Sequence, residues 1–226
     1  MKETIRNHFK NNKQIARINY LVLKIIFLLI ILFGAGCNKG KEDFSNCEYS
    51  YDHSATKFKW TAFKLTEKVG VNGSFDKISI EGTRDRQISI PLVFENLRFN
   101  VDLSSINSGQ NERDKKILKY FFGNLKDSKE ISGTFSKIKI SNNFGTADLN
   151  LKMNSIEKIV PVKIMIQNNS DLELRASIDL LNWDMGEAIK SLNKECYDLH
   201  KGKDGVSKLW PEVELEVNTK LKATCK

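Results

Sequence analysis

Proline is scarce in this chain, with three residues in 226, and the 13 glycines follow no three-residue period. Those shortages exclude a Pro-rich or collagen-like protein. There are three histidines and four cysteines, and no Cys-x-x-Cys-His run, so covalent haem has no support. No Gly-rich phosphate loop, nucleophile elbow or paired-carboxylate pattern is present. Excess charge is also missing from most of the chain. The net charge of +8 comes largely from residues 1–36, where Lys2, Arg6, Lys10, Lys13, Arg17 and Lys24 face a single acid, Glu3. The remainder holds 30 basic and 27 acidic residues, a balance that predicts no nucleic-acid surface. Hydrophobic residues make up 40% and charged residues 28%, enough for a packed core and against general disorder.

The apolar stretch Leu21–Phe33 is broken by Lys24, which leaves nine uninterrupted residues, Ile25–Phe33. That length suits the core of a signal peptide and is short for a membrane span. Gly34, Ala35 and Gly36 lead to Cys37, a bacterial lipobox-like sequence in which the thiol is acylated and the chain cut before it. Gly34 departs from the usual Leu, Val or Ile. Secretory cleavage at the same Gly36–Cys37 bond, or an uncleaved anchor over Leu21–Gly36, are the alternatives. The expected organisation is a signal peptide over residues 1–36, a lipidated Cys37 and polar tether over 37–48, and one domain over 49–226. The polar run Asn38–Asn46 has a reach of roughly 15–18 Å, enough to hold a domain just off a membrane surface.

Beyond the tether, apolar residues alternate with polar ones. Phe58, Trp60 and Ala62 start the pattern, and Ala147, Leu149, Leu151 and Met153 show it most cleanly. The spacing predicts eight strands, at 56–65, 69–82, 86–102, 130–140, 144–153, 157–167, 171–181 and 212–224. Asn142-Asn143 and Asn168-Asn169-Ser170 are turns. Phase shifts between Phe75 and Ile78 and between Phe135 and Ile138 predict bulges or corners. Two segments have helical spacing: Asn111–Phe122, with Asn111 and Asp114 as an approximate cap, and Met185–Leu199, with Ala188, Ile189, Leu192 and Cys196 on one stripe. One apolar face per strand is the signature of an antiparallel sheet with one wet face. The expected fold is all-β: an eight-stranded antiparallel barrel with two connecting helices, with a two-sheet sandwich as the runner-up.

Several segments then fall in a familiar order. They are Tyr51-Asp52-His53-Ser54 before Lys57-Phe58, then Gly73-Ser74-Phe75, Ser104-Ser105-Ile106, Arg113-Asp114 with Leu118 and Phe121-Phe122, and Ile131-Ser132-Gly133. This order resembles the YceI-like family of bacterial polyisoprenoid-binding barrels, over roughly residues 49–224. Trp60-Thr61-Ala62-Phe63-Lys64, Leu181-Asn182-Trp183, Ser191-Leu192-Asn193 with Cys196, His200-Lys201-Gly202 and Trp210-Pro211 resemble a lipoprotein-like subgroup. The resemblance implies a lipocalin-like barrel with an apolar lumen for a long isoprenoid chain, and export to the periplasm. Met153-Asn154-Ser155-Ile156 departs from the family's Arg-Gly-Val-Thr-type turn, so the barrel mouth is expected to differ.

Phe58, Trp60, Phe75, Phe99, Leu149 and Leu174 are the candidate ligand-lining residues. Arg113 is a candidate contact for a polar head, or else a cap and ion pair at the head of its helix. The consecutive residues Asp52, His53 and Ser54 point to alternating sides of an extended chain and do not form a triad. Cys196 and His200 stand four apart and invite a metal, but they have too few companions; a buried thiol and a helix-end His account for them. No catalytic residue and no cofactor is expected, apart from a bound isoprenoid lipid or quinone. The reading is a non-enzymatic lipid-binding protein, anchored to the outer or inner membrane facing the bacterial periplasm. A ligand-free structural barrel and a redox-linked enzyme using a bound quinone are the rivals. A continuous apolar lumen distinguishes carriage from close-packed Phe and Trp, and from a polar pocket containing His200 and Cys196. Oligomeric state is not specified. In a closed meander the first and last strands pair antiparallel, which places Cys47 beside Cys225 at one barrel edge. In an oxidising compartment these two are expected to form a disulfide, with Cys196 buried and free; Cys196–Cys225 is the competing pair.

Overall fold

The computed structural model describes residues 46–226. The expected signal peptide, the Cys37 anchor and almost all of the tether lie outside the described residues. Eleven strands are present: β1 (Cys47–Tyr51), β2 (Lys57–Lys64), β3 (Val69–Phe75), β4 (Ile78–Glu81), β5 (Arg98–Asp102), β6 (Ile106–Asn107), β7 (Glu130–Ser141), β8 (Phe144–Met153), β9 (Ile156–Gln167), β10 (Asp171–Asp179) and β11 (Leu209–Cys225). They form an all-β antiparallel half-barrel in the order β4-β5-β7-β8-β9-β10-β11-β2-β3-β6, with β1 added against the far end of β11.

Turn chemistry fixes the register of the long strands. Asn142, Asn154, Ser155, Asn168 and Asn169 adopt positive φ between β7 and β8, β8 and β9, and β9 and β10. Asparagine tolerates that region better than most residues do. Alternate residues then bury one face. Ala147, Leu149, Leu151 and Met153 of β8, and Val160, Val162, Ile164 and Ile166 of β9, all have exposures of 5% or less. Burying a Val, Leu or Ile of this kind is worth about 1.5–3 kcal/mol. The phase shift expected in the Phe135–Ile138 region is a bulge: the β7–β8 register slips between Ser136 and Lys139, and Lys137 has φ of 50°.

Eight strands were expected and eleven are found, for three reasons. The segment 69–82 breaks at Asp76 and Lys77, where Ser105 accepts the Asp76 N–H through its carbonyl and the Lys77 N–H through its hydroxyl. β3 pairs with β2 while β4 pairs with β5, so this corner links the two ends of the strand order. Cys47–Tyr51, whose first residues were assigned to the tether, is a strand with Cys47, Tyr49 and Tyr51 buried. Ile106–Asn107 adds a short strand against β3. The expected strand 86–102 is a correction of a different kind. Only Arg98–Asp102 is extended, and Ile90–Phe94 forms a short helix, α1, with Pro91 near its start. Ile88, placed inside by the alternation, is 80% exposed.

The two expected helices exist but are shorter and less regular. Asn111–Lys116 is α2, and its expected cap is also corrected. Gln110 is the N-cap and makes no side-chain bond, and the Asp114 carboxylate accepts the Ser108 N–H instead. α2 runs on into a π-helical turn, Ile117–Phe121, and a tight turn, Phe122–Asn124. Gly186–Glu195 is α3, and its stripe of Ala188, Ile189 and Leu192 is buried, as is Cys196 just beyond it. The variant turn at Asn154 has its own structural role. Its Oδ1 accepts the Lys126 N–H at 2.7 Å and its Nδ2 donates to the Trp183 carbonyl at 2.8 Å. This buried amide joins the β8–β9 turn to the loops before β7 and α3. Cys47 and Cys225 face each other in the β1–β11 register and form a disulfide with Cα atoms 4.0 Å apart. Cys196 is free and buried.

Candidate lipid tunnel

The inward face of the sheet does not fill. It leaves a cavity of about 240 Å³ whose walls are almost entirely apolar. Its length follows from the strands that line it. Leu209, Val213, Leu215, Val217 and Thr219 of β11 all line it; the register is bulged between Leu209 and Val213, and the matching stretch of β2 and its lead-in, from Lys64 back to Thr56, spans about 26 Å at about 3.3 Å per residue. Met185, Ile189 and Leu192 of the α3 region line it together with Leu209. Tyr51, Thr56 and Phe94 line it together with Thr219. A cavity of about 150 Å³ in another protein holds one benzene ring. A volume of 240 Å³ lined along that length suits an extended occupant.

Local sequence shapes these walls. Trp60 of β2 lies directly opposite Gly73 of β3, and a Cβ at Gly73 would sit 2.1 Å from the Trp60 ring. The glycine lets the indole lie flat across its neighbour, with Nε1 donating to the Ser74 carbonyl at 3.2 Å. Phe99 of β5 has the same relation to Gly133 of β7, where a Cβ would meet the ring at 2.5 Å. Phe58, Phe75 and Phe122 form a row with ring centroids 6.1 and 6.3 Å apart, and Phe121 packs on Phe122 at 5.2 Å. A regular α-helix would send consecutive residues about 100° apart. The π turn here is associated with Phe121 and Phe122 both being buried and both lining the tunnel.

Of the candidate ligand residues, Phe58, Trp60, Phe75, Phe99, Leu149 and Leu174 all line the cavity. Arg113 is not among the lining residues. It sits half-buried in α2, on a helix whose downstream residues, from Ile117, reach the tunnel. Sequence reasoning missed Tyr51, Thr56 and Thr219, the polar residues at the β1 end. Thr219 is 6% exposed and its Oγ1 lies 2.7 Å from that of Thr56, which in turn bonds the Tyr51 hydroxyl. A Thr continuing the inward phase of Val213, Leu215 and Val217 was the available signal.

The polar residues that the sequence singled out, His200, Cys196, Asp52 and His53, are not among the lining residues. His200 Nδ1 donates to Asn193 Oδ1 at 2.9 Å, a direction set by the amide oxygen, which only accepts. Burial, helped by Lys64 and Lys116, lowers its pKa to about 4. Burial pushes the Cys196 thiol up, so it is a poor nucleophile. Asp52 accepts both the N–H and the hydroxyl of Ser54 at 3.0 and 2.6 Å, a local turn that holds its carboxyl below the usual range. His53 sets its ring edge against Tyr51. Among the described residues no three His, Cys, Asp or Glu converge on a metal position, and no helix is long and apolar enough to cross a membrane.

The sequence pattern of the YceI-like domain matches residues 49–221. Among solved structures, a polyisoprenoid binding domain from Saccharophagus degradans, implicated in plant cell wall breakdown, is similar with a TM-score of 0.55. It is 14% identical, over 78% of this chain and 99% of that one. Burkholderia cenocepacia BcnA is similar with a TM-score of 0.53 and 15% identity, over 76% of this chain and 99% of that one. None of the curated proteins matches the chain.

Proposed function

The chain belongs to the YceI-like family, and on that footing we propose that it is an exported, lipid-anchored protein that holds one long apolar lipid of the polyisoprenoid kind in its tunnel. The observation that carries this reading is the cavity itself: about 240 Å³, almost entirely apolar, and lined by β11 residues from Leu209 to Thr219. A tunnel of that form suits a flexible chain. Each Å² of apolar chain removed from water contributes about 25 cal/mol, so binding needs length rather than chemistry. The single polar cluster at one end suits a lipid with an apolar body and a small head. A barrel filled by its own side chains would leave no such space, and an enzyme on this scaffold would need reactive groups facing the tunnel, where the chain has hydroxyls and hydrocarbon.

The basic leader, its apolar core and Cys37 support export and anchoring, and the Cys47–Cys225 disulfide suits an oxidising compartment. The polar tether would keep the tunnel close to a membrane that supplies its ligand. The test is equilibrium binding of two water-insoluble hydrocarbons of different shape, phytane as a thread and cholestane as a fused-ring body, with protein carrying the intact disulfide. Phytane is expected to bind and cholestane is not. Equal binding of both, or binding of neither, overturns the proposal.

A further inference from the structure

The polar end of the tunnel has an uneven proton count. Tyr51, Thr56 and Thr219 line the cavity and are joined in a row, Tyr51 hydroxyl to Thr56 hydroxyl to Thr219 hydroxyl. Each hydroxyl carries one proton. Three protons and two links leave one donor over, whichever way the row is oriented. If the row runs towards Thr219, the spare proton is on Thr219; if it runs the other way, on Tyr51; if both ends donate to the middle, on Thr56. Tyr51 and Thr219 are 5% and 6% exposed, and the walls beyond them are Phe58, Phe94 and Val217. A spare donor on Tyr51 or Thr219 thus sits on a nearly fully buried side chain, and one on Thr56 sits on a half-buried one.

Several charged groups at this end are engaged with one another. Lys222 lies 3.8 Å from Asp52 and Lys220 lies 3.2 Å from Asp171. Arg175 borders the cavity, but its guanidinium is drawn outward by Glu173 and, at 3.6 Å, by Glu216, with a side chain 62% exposed. Among the described residues, the lining at this end thus offers one neutral donor, and its cation, Arg175, is paired with Glu173 and Glu216.

We propose that Tyr51, Thr56 and Thr219 form the head-group site of the tunnel, and that it takes a lipid whose apolar chain ends in a neutral oxygen acceptor, a ketone or hydroxyl oxygen, rather than a phosphate or carboxylate. The assignment rests on the tunnel being the binding site. A neutral acceptor satisfies the spare donor. An anion would enter a low-dielectric end with one hydroxyl for company, and burial of an unpaired charge is strongly unfavourable. Because the row can reverse, the donor is available from either end, so the site can adjust to a head that sits a few ångströms deeper or shallower.

The experiment compares four probes with isoprenoid chains of similar length: phytane, geranylgeraniol, geranylgeranylacetone and geranylgeranyl diphosphate. Each is titrated into the wild-type protein and into the variant Tyr51→Phe/Thr56→Val/Thr219→Val. That variant keeps the shape of all three side chains and leaves no hydroxyl of the row orphaned, a replacement that is nearly neutral for folding. The expected order for the wild type is ketone and alcohol about five- to tenfold tighter than phytane, the increment of one hydrogen bond, with the diphosphate weakest. In the variant the ketone and alcohol advantage disappears while phytane binds as before. Tightest binding of the diphosphate, or a ketone advantage that survives in the folded variant, overturns the head-group assignment alone. Failure of all four probes on the wild type overturns the tunnel reading and this assignment with it. The wild-type series needs no mutant, so it decides the question even if the variant fails to fold.

Discussion

Replacing Ala176 with Phe should close the tunnel near its middle. Ala176 lines the cavity and lies directly opposite Leu215, between the Leu174–Val217 and Ile178–Val213 pairs. A benzyl group there would project into the cavity between those pairs. The part cut off, from Leu215 to Thr219, is about 13 Å of strand. An extended chain puts about ten carbons in that length, and at about 0.8 kcal/mol per buried CH₂ the gross loss is about 8 kcal/mol. Ordering of the chain takes back part of any such gain; if half of the gross figure survives, about 4 kcal/mol, the loss is still about a thousandfold in affinity. The fold should survive, since overpacking costs of about 1–3 kcal/mol apply to a filled core and this position faces open space. Ser177→Phe, on the exposed face of the same strand, is the control and should bind as the wild type does. The assay is equilibrium binding of radiolabelled geranylgeraniol, with thermal unfolding of each variant alongside. A folded Ala176→Phe protein with wild-type affinity would refute the placement of the ligand in this cavity.

Three further outcomes follow from the structure. Reducing the Cys47–Cys225 bond, or replacing both residues with Ala, frees a loop with a sequence separation of 178 and should lower stability by about 5 kcal/mol in the chain-entropy view; denaturant unfolding with and without reductant checks it, and an unchanged midpoint contradicts it. His200 has a folded pKa of about 4 against about 6.5 in the unfolded chain, so no penalty exists above pH 6.5. As pH falls from 6.5 towards 4 the unfolded chain takes up a proton that the folded one refuses, and stability should drop by up to about 3 kcal/mol. His200→Gln should flatten that part of the pH profile, and an equally steep profile in the variant would assign the loss elsewhere. Asn154→Ala leaves the Lys126 N–H and the Trp183 carbonyl without their partner and places Ala at positive φ. The expected loss is about 2–4 kcal/mol, measured by urea unfolding, whereas a loss under about 0.5 kcal/mol would show that the amide is not a staple.

Much of the sheet was readable because its strands bury one face only. β8, β9 and β10 have clean period-two patterns bounded by Asn-containing turns, and the structure follows them within a residue or two. Legibility failed where the same pattern arose from another cause. Ile88, Ile90, Leu92 and Phe94 alternate, yet Pro91 cannot donate to a ladder and belongs at the start of a helix. Ser89 before it is a natural N-cap residue, so the helix had a signal that the alternation masked. β1 was missed because Cys47 and Glu48 follow a polar run, although Cys47, Tyr49 and Tyr51 have the right period. The Ile117–Phe121 turn has α-like spacing, and nothing local marks its widening; that depends on Phe121 and Phe122 both finding partners inside.

The candidate site divides the same way. Inward aromatic and aliphatic residues were accessible from strand phase, since filling a barrel and lining its tunnel use the same positions. Arg113 was drawn in by its charge and its place at a helix start, and the structure leaves it outside the cavity lining. The Tyr51–Thr56–Thr219 row joins three separate segments, with Thr56 and Thr219 163 residues apart, a proximity that appears only once β1, β2 and β11 are paired. Gly73 and Gly133 were visible as residues, but their partners Trp60 and Phe99 were set by register.

The account stands or falls on whether the protein leaves its host with a chain-shaped lipid inside it. Protein purified from its own host without detergent, its disulfide intact, should release on organic extraction a near-stoichiometric amount of a linear, neutral-headed lipid identifiable by mass spectrometry. Absence of any co-purifying lipid, together with no uptake of added geranylgeraniol, would contradict the central claim.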